Sequence, residues 1–179
     1  MLCKDYLEIR NDIKDGDIIL WKGTGILARS IQYFDNAKYN HISVVKWVGK
    51  RLLNVDMWYQ GIEINPLSRR MIYDYKEFCI IRPKGNSAEE INIAIENILQ
   101  KLEALRKYDY FLLPRIAFYK KTGINLIKLG RNDRYICSEL IQTYTNDLRK
   151  INYKDIELIT PQDFLRYLDE NNLELLYHE

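Results

Sequence analysis

The sequence predicts an α+β domain in which an antiparallel sheet packs against helices, and three observations carry that prediction. Two β-branched runs, His41-Ile42-Ser43-Val44-Val45-Lys46-Trp47 and Arg51-Leu52-Leu53-Asn54-Val55-Asp56-Met57-Trp58, are separated by the short turn Val48-Gly49-Lys50 and read as a hairpin. Ile91, Ile95, Ile98, Leu102 and Leu105 form one apolar stripe at helical spacing after the capping box of Ser87 and Glu90. A second helical pattern, Leu140, Ile141, Tyr144 and Leu148, begins just after Cys137.

The remaining elements fall around these. Asp17-Ile18-Ile19-Leu20-Trp21 reads as a first strand, and Ile26, Leu27, Ile31 and Phe34 mark a short helix before His41. Thr160 as cap and Pro161 in the first turn start a helix that turns Phe164, Leu165 and Leu168 inward, and residues 173–177 suit a last strand. Residues 108–132 have weaker periodicity and read as partly helical. Neither repeats nor low-complexity linkers interrupt the chain, so residues 1–179 form a single domain large enough to bury a sizeable core.

Composition excludes several classes of function. Hydrophobic residues at 47% exclude global disorder. A net charge of +2, from 27 basic and 25 acidic residues, gives no field that would draw nucleic acid. Lys120, Lys121, Lys128 and Arg131 make a local basic stretch, which suits a solvated face or attraction to an anionic substrate or membrane surface. The three cysteines Cys3, Cys79 and Cys137 lack paired spacing, so neither a disulfide scaffold nor a zinc ribbon is expected, and no metal or other cofactor is implied. Cys79 in Phe78-Cys79-Ile80-Ile81 suits an inert buried thiol, and Cys3 an exposed one. Charges in the first eight residues leave no apolar core for a signal peptide, and no run reaches the roughly 18 residues of a membrane span. A cytoplasmic protein without a transmembrane segment is therefore expected.

The chemistry centres on Cys137, in Arg134-Tyr135-Ile136-Cys137-Ser138-Glu139-Leu140. A thiol at the head of a helix loses its proton more easily, because unpaired N–H groups and the dipole favour an anion there, and the thiolate is the nucleophile. The competing reading is a small buried hydrophobe. A nucleophilic thiolate needs a base, and the chain holds two histidines, His41 and His178. His178 is penultimate and suits a frayed, solvated terminus, whereas His41 opens a strand and can face a cleft. A third group fixes the base's tautomer by accepting from its other ring nitrogen. Asp56, between Val55 and Met57 on the neighbouring strand, is favoured, with Asn54 on the same face and Glu63 as the rival.

The order histidine, acid, cysteine reverses that of papain. With Asp15-Gly16-Asp17-Ile18-Ile19-Leu20, Asn40-His41-Ile42-Ser43, Val55-Asp56, Gly61-Ile62-Glu63-Ile64-Asn65-Pro66-Leu67, Tyr108-Asp109-Tyr110, Tyr135-Ile136-Cys137-Ser138-Glu139-Leu140 and Ile159-Thr160-Pro161-Gln162-Asp163-Phe164, the chain resembles the circularly permuted branch of the NlpC-type papain-like cysteine peptidases. It is similar there to the YiiX-like subgroup, related to lecithin:retinol acyltransferase-like proteins, over nearly its whole length. The resemblance implies a permuted papain-like fold with Cys137 as nucleophile, His41 as base and the acid at Asp56 as third member.

It also implies an amide- or peptide-cleaving cysteine hydrolase acting on cell-wall-type or other short peptides. Two alternatives share the fold: a lipid-directed acyltransferase or thioesterase, and a catalytically silent binding module. Fourteen tyrosines make a further feature, for rings with a polar tip suit a groove that holds a peptide-like or acyl substrate. Tyr33, Tyr39, Tyr108, Tyr110 and Tyr135 flank the proposed segments. Tyr135, close to Cys137, and Tyr108, in the family segment, are the expected substrate-binding pair; core packing is the alternative for each.

Overall fold

The structure is a computed structural model and describes residues 2–58, 60–71, 77–103, 107–109, 112–124, 134–148, 160–166, 168 and 172–178. Its centre is a six-stranded antiparallel sheet: Ile18–Lys22 (β1), His41–Val48 (β2), Arg51–Trp58 (β3), Gly61–Pro66 (β4), Glu77–Pro83 (β5) and Leu173–His178 (β8). The strand order is β4-β3-β2-β1-β5-β8. Lys107–Tyr108 (β6) and Arg134–Tyr135 (β7) form a separate two-stranded parallel ladder. The helices are Leu2–Ile9 (α1), Ile26–Asp35 (α2), Leu67–Arg69 (α3), Ala88–Glu103 (α4), Leu112–Thr122 (α5), Cys137–Asn146 (α6) and Pro161–Arg166 (α7).

Strand alternation divides the core into two layers, because successive side chains point to opposite faces. On one face Ile18, Leu20, Ile42, Val44, Val55, Met57, Cys79 and Ile81 are buried with residues of α4, α5, α6 and α7. On the other, Ile19, Trp21, Val45, Leu52, Phe78 and Ile80 are buried with Tyr6, Ile13, Leu67 and Met71. The sheet is thus covered on both sides, which explains why its central strands read as nearly continuous apolar runs.

Local chemistry sets the boundaries. Gly49, at φ +59°, makes the β2–β3 turn. Ser87 and Glu90 exchange hydrogen bonds of 3.2 and 2.8 Å in the expected capping box, and Ile95 and Ile98 of the stripe are fully buried. Leu102 lies in α4 with its side chain outside the description, and Leu105 is outside the described residues. At α7 the Asp163 carboxylate accepts from the Thr160 N–H at 3.0 Å and from its hydroxyl at 2.9 Å.

Two sequence expectations change. The helix at α2 forms, yet Ile26 and Tyr33 are 88% and 81% exposed and Phe34 is exposed as well. Polar bonds stop α2 instead: Asn36 adopts a left-handed C-cap at φ 47°, and the Ala37 N–H donates to the Gln32 carbonyl at 2.9 Å. His178 closes β8 and pairs in register with Cys79, so the terminus is tied into the sheet edge rather than frayed. No helix among the described residues is long and apolar enough to cross a membrane.

Gly16 sits at φ +82° where the chain passes under α4 and α6, and a Cβ there would meet the Tyr144 hydroxyl and Ile91. Gly16→Ala is expected to lower unfolding free energy by roughly 2–4 kcal/mol, from backbone strain and overpacking together. Urea denaturation checks this, and a change below about 0.5 kcal/mol would contradict the packing described.

Candidate active site

Cys137 becomes the first residue of α6 because the chain leaves β7 extended and turns helical directly after Ile136. The Ile136 N–H donates to the Glu139 carboxylate at 3.1 Å, which satisfies one of the amide groups a helix start leaves open. Leu140, Ile141 and Tyr144 are fully buried, and the Tyr144 hydroxyl donates to the Gly16 carbonyl at 2.9 Å. The core therefore fixes α6 against β2 and β3, and with it the place of the sulfur at the positive end of the helix.

His41 is fixed by the loop in front of it. Gln162 Oε1 accepts from the N–H groups of Lys38 and Tyr39 at 2.9 and 3.3 Å, so α7 holds this loop from outside. Asn40 Oδ1 accepts from the Gly23 N–H at 2.7 Å and from Gln32 Nε2 at 3.1 Å, and the Asn40 N–H donates to the Trp21 carbonyl at 3.0 Å. His41 then enters β2 opposite Trp21. Being first in the strand, it stands at the rim of the sheet, where the head of α6 can reach it.

The β2–β3 register brings in the acid. Ser43 pairs with Asp56, so continuing the ladder sets His41 opposite Trp58 with Asp56 diagonal to it on the same face. His41 Nε2 lies 3.0 Å from Asp56 Oδ2, and both side chains are buried. Cys137 acts on the same ring through its charge and a hydrogen bond. The Trp58 ring meets the imidazole edge-on, with centroids 5.1 Å apart and planes at 84°. Cys137, His41 and Asp56, singled out separately in the sequence, thus form one contiguous chain of side chains.

Opposing forces act on the imidazole. Burial pulls its pKa down; the charge of Cys137, the hydrogen bonds to Asp56 and Cys137 and the charge of Asp56 push it up, and the upward forces win, raising it from 6.5 to about 9. These upward forces favour the protonated form of the ring. Cys79 is in a different situation, because burial pushes its thiol up to about 12.

Glu63 pairs with Asp56 across β3 and β4 but turns to other partners, accepting from Arg70 Nη2 at 3.0 Å and from Asn65 Nδ2 at 3.1 Å. Asn54 is buried, and among the described residues neither of its amide atoms has a hydrogen-bond partner. Tyr108 and Tyr135 are direct register partners in the β6–β7 ladder that leads into Cys137; their side chains lie outside the description. Tyr39 is core, Tyr33 is exposed, and Tyr110, Lys128 and Arg131 lie outside the described residues. Gln162, Arg70 and Trp58 escaped the sequence reading. Alternation along β3 could have placed Trp58 beside Asp56, whereas nothing in the sequence around Arg70 marks it.

No family model matches the chain, and no curated protein matches it in sequence. Among solved structures it is similar to YiiX of Escherichia coli O157:H7, described as a metalloprotein of DUF1105. The TM-score is 0.59 at 16% identity, over 93% of this chain and 97% of that one. At that identity the likeness speaks for the fold, and since nearly all of both chains takes part, this chain has a YiiX-like α+β fold.

Proposed function

We propose that this chain is a cysteine hydrolase of the permuted papain-like kind, cleaving amide or peptide bonds in cell-wall-type or other short peptides. The observation that carries the reading is His41 bonded to Asp56 at 3.0 Å, with the charge and hydrogen bond of Cys137 raising the pKa of the same ring. A hydrogen-bonded imidazolium at the head of a helix is the setting in which a thiolate persists and attacks carbonyl carbon.

The reaction follows from the placement of these groups. The Cys137 thiolate attacks the substrate carbonyl, and its π electrons move to oxygen. The N–H groups in the first turn of α6, that of Cys137 among them, are the donors for the resulting oxyanion. His41 passes the Nδ1 proton to the leaving nitrogen, the C–N bond breaks, and an acyl thioester remains on Cys137. The neutral imidazole then takes a proton from water, the hydroxide so formed attacks the thioester, and the acid leaves as the thiolate–imidazolium pair is restored. Asp56 holds the ring through Nε2 and stabilises its charge throughout. The pairing of Tyr108 with Tyr135 in the ladder that leads into Cys137 supports a substrate-binding role for both residues.

YiiX is described as a metalloprotein, and the residues here make a poor metal site. Among the described residues no three His, Cys, Asp or Glu side chains converge as ligands, and the two oxygens of Asp56 are engaged by His41 and Arg70. The steps above therefore use only the chain's own groups.

Two outcomes test the reading. Iodoacetamide at neutral pH is expected to modify Cys137 at least about 100-fold faster than Cys79, and His41→Ala to slow Cys137 labelling roughly 10-fold or more. Equal labelling of Cys137 and Cys79, unchanged in His41→Ala, favours the silent binding module instead. The second outcome concerns pH. Because His41 is raised from 6.5 to about 9 on folding, its protonation stabilises the fold fully below about pH 6.5, and that contribution is lost as pH rises through about 9. Denaturation across this window is expected to show the decline in the wild type and a flatter one in Cys137→Ala, where the largest upward force on His41 is removed. Hydrolysis is expected to fall above about pH 9 as the general acid loses its proton, while alkylation of Cys137 continues.

A further inference from the structure

Behind Asp56 lies a second set of charges that the reaction above does not use. Arg70, just past α3, is buried and directs Nη2 to Asp56 Oδ1 at 3.2 Å and to Glu63 Oε2 at 3.0 Å. Its guanidinium lies over the Trp58 ring, 5.0 Å from the centroid. The same ring presents itself edge-on to His41 at 5.1 Å. Trp58 therefore spaces the arginine from the histidine, and Asp56 joins them through its two oxygens.

We propose that Arg70 is a positioning residue for the Cys137–His41 pair: it holds the Asp56 carboxylate turned towards His41, and Glu63 balances its charge. The inference rests on the hydrolase reading for its purpose but not for its geometry. A buried carboxylate bonded only to His41 keeps one oxygen without a partner and can turn about its terminal torsion, which is broad and roughly two-fold. Arg70 fills the second oxygen and stops that turn. A buried arginine beside Asp56 would by itself cancel the negative charge that the imidazolium needs. Glu63 prevents this, since Asp56, Arg70 and Glu63 together carry one net negative charge, the same as a lone aspartate. Among the described residues, the charged groups that act on His41 are Cys137 from α6 and Asp56 from β3, with Arg70 and Glu63 standing behind Asp56; its neighbours on β1 and β3, Trp21 and Trp58, are neutral.

The test reads the His41–Asp56 bond directly, as the low-field proton resonance of the His41 ring, together with the rate of Cys137 alkylation at neutral pH. Arg70→Met is expected to abolish the resonance and to slow alkylation roughly 10-fold, with far-UV circular dichroism unchanged; Arg70→Lys, which keeps the charge but not the planar stacked fork, is expected to restore part of both. Glu63→Gln, at a partly exposed side chain, keeps the bond to Arg70 and removes the balancing charge, and the His41 titration midpoint is expected to fall by about half a pH unit or more. A folded Arg70→Met protein that keeps the resonance, or a Glu63→Gln protein with an unmoved midpoint, would overturn the proposal. If Arg70→Met fails to fold, Glu63→Gln decides. Slow alkylation of wild-type Cys137 would count against the hydrolase reading alone, because the resonance and the midpoint report on Arg70 and Glu63 whether or not the thiol reacts.

Discussion

The register of the β2–β3 hairpin is the constraint on which the rest depends. A single-residue slip would turn Asp56 to the opposite face, away from His41, and would carry Val55 and Met57 out of the helix-covered core at the same time. The apolar alternation that buries Val44 against Val55 is thus also what places a carboxylate diagonal to the histidine. Site geometry and core packing are specified by the same residues, so one cannot drift without a cost to the other.

The site is assembled where two independently fixed bodies meet. The sheet supplies His41 and Asp56, while α6 supplies Cys137 from the opposite layer. His41 can bridge them because it is the first residue of β2 and stands at the rim. The loop before it, residues 36–40, is held by Asn40 from the sheet side and by Gln162 from α7. Burial alone would pull the His41 pKa down, so the raised value depends on the neighbours that this support keeps in place.

Much of this was legible in the sequence where the signal is local. The capping box at Ser87 and Glu90, the glycine turn at Gly49 and the apolar stripe of α4 each depend on residues within a few positions of one another; the first two form as read, and Ile95 and Ile98 of the stripe are buried. Cys137 and His41 stood out because few side chains can do their chemistry. Asp56 and Glu63 could not be separated with certainty from the sequence, because they are direct cross-strand partners and only the third dimension shows which meets His41. Arg70 was invisible for the same reason, since its partners lie 14 and 7 residues away and its role depends on the stacking against Trp58. The exposure of Ile26 and Phe34 did not show in the sequence, because apolar spacing marks a helix without saying which of its residues find a covering neighbour.

The central claim is that Cys137 carries the acyl group of the substrate. Intact-protein and peptide mass spectrometry, after incubation with bacterial cell-wall digests and separately with phospholipids, tests it most directly. A peptidyl acyl adduct on Cys137 is expected with the cell-wall digest, none with phospholipid, and none in Cys137→Ala. A fatty-acyl adduct on Cys137 would contradict the assigned substrate class, and the absence of any adduct on Cys137, with substrate unchanged, would contradict nucleophilic catalysis by this residue.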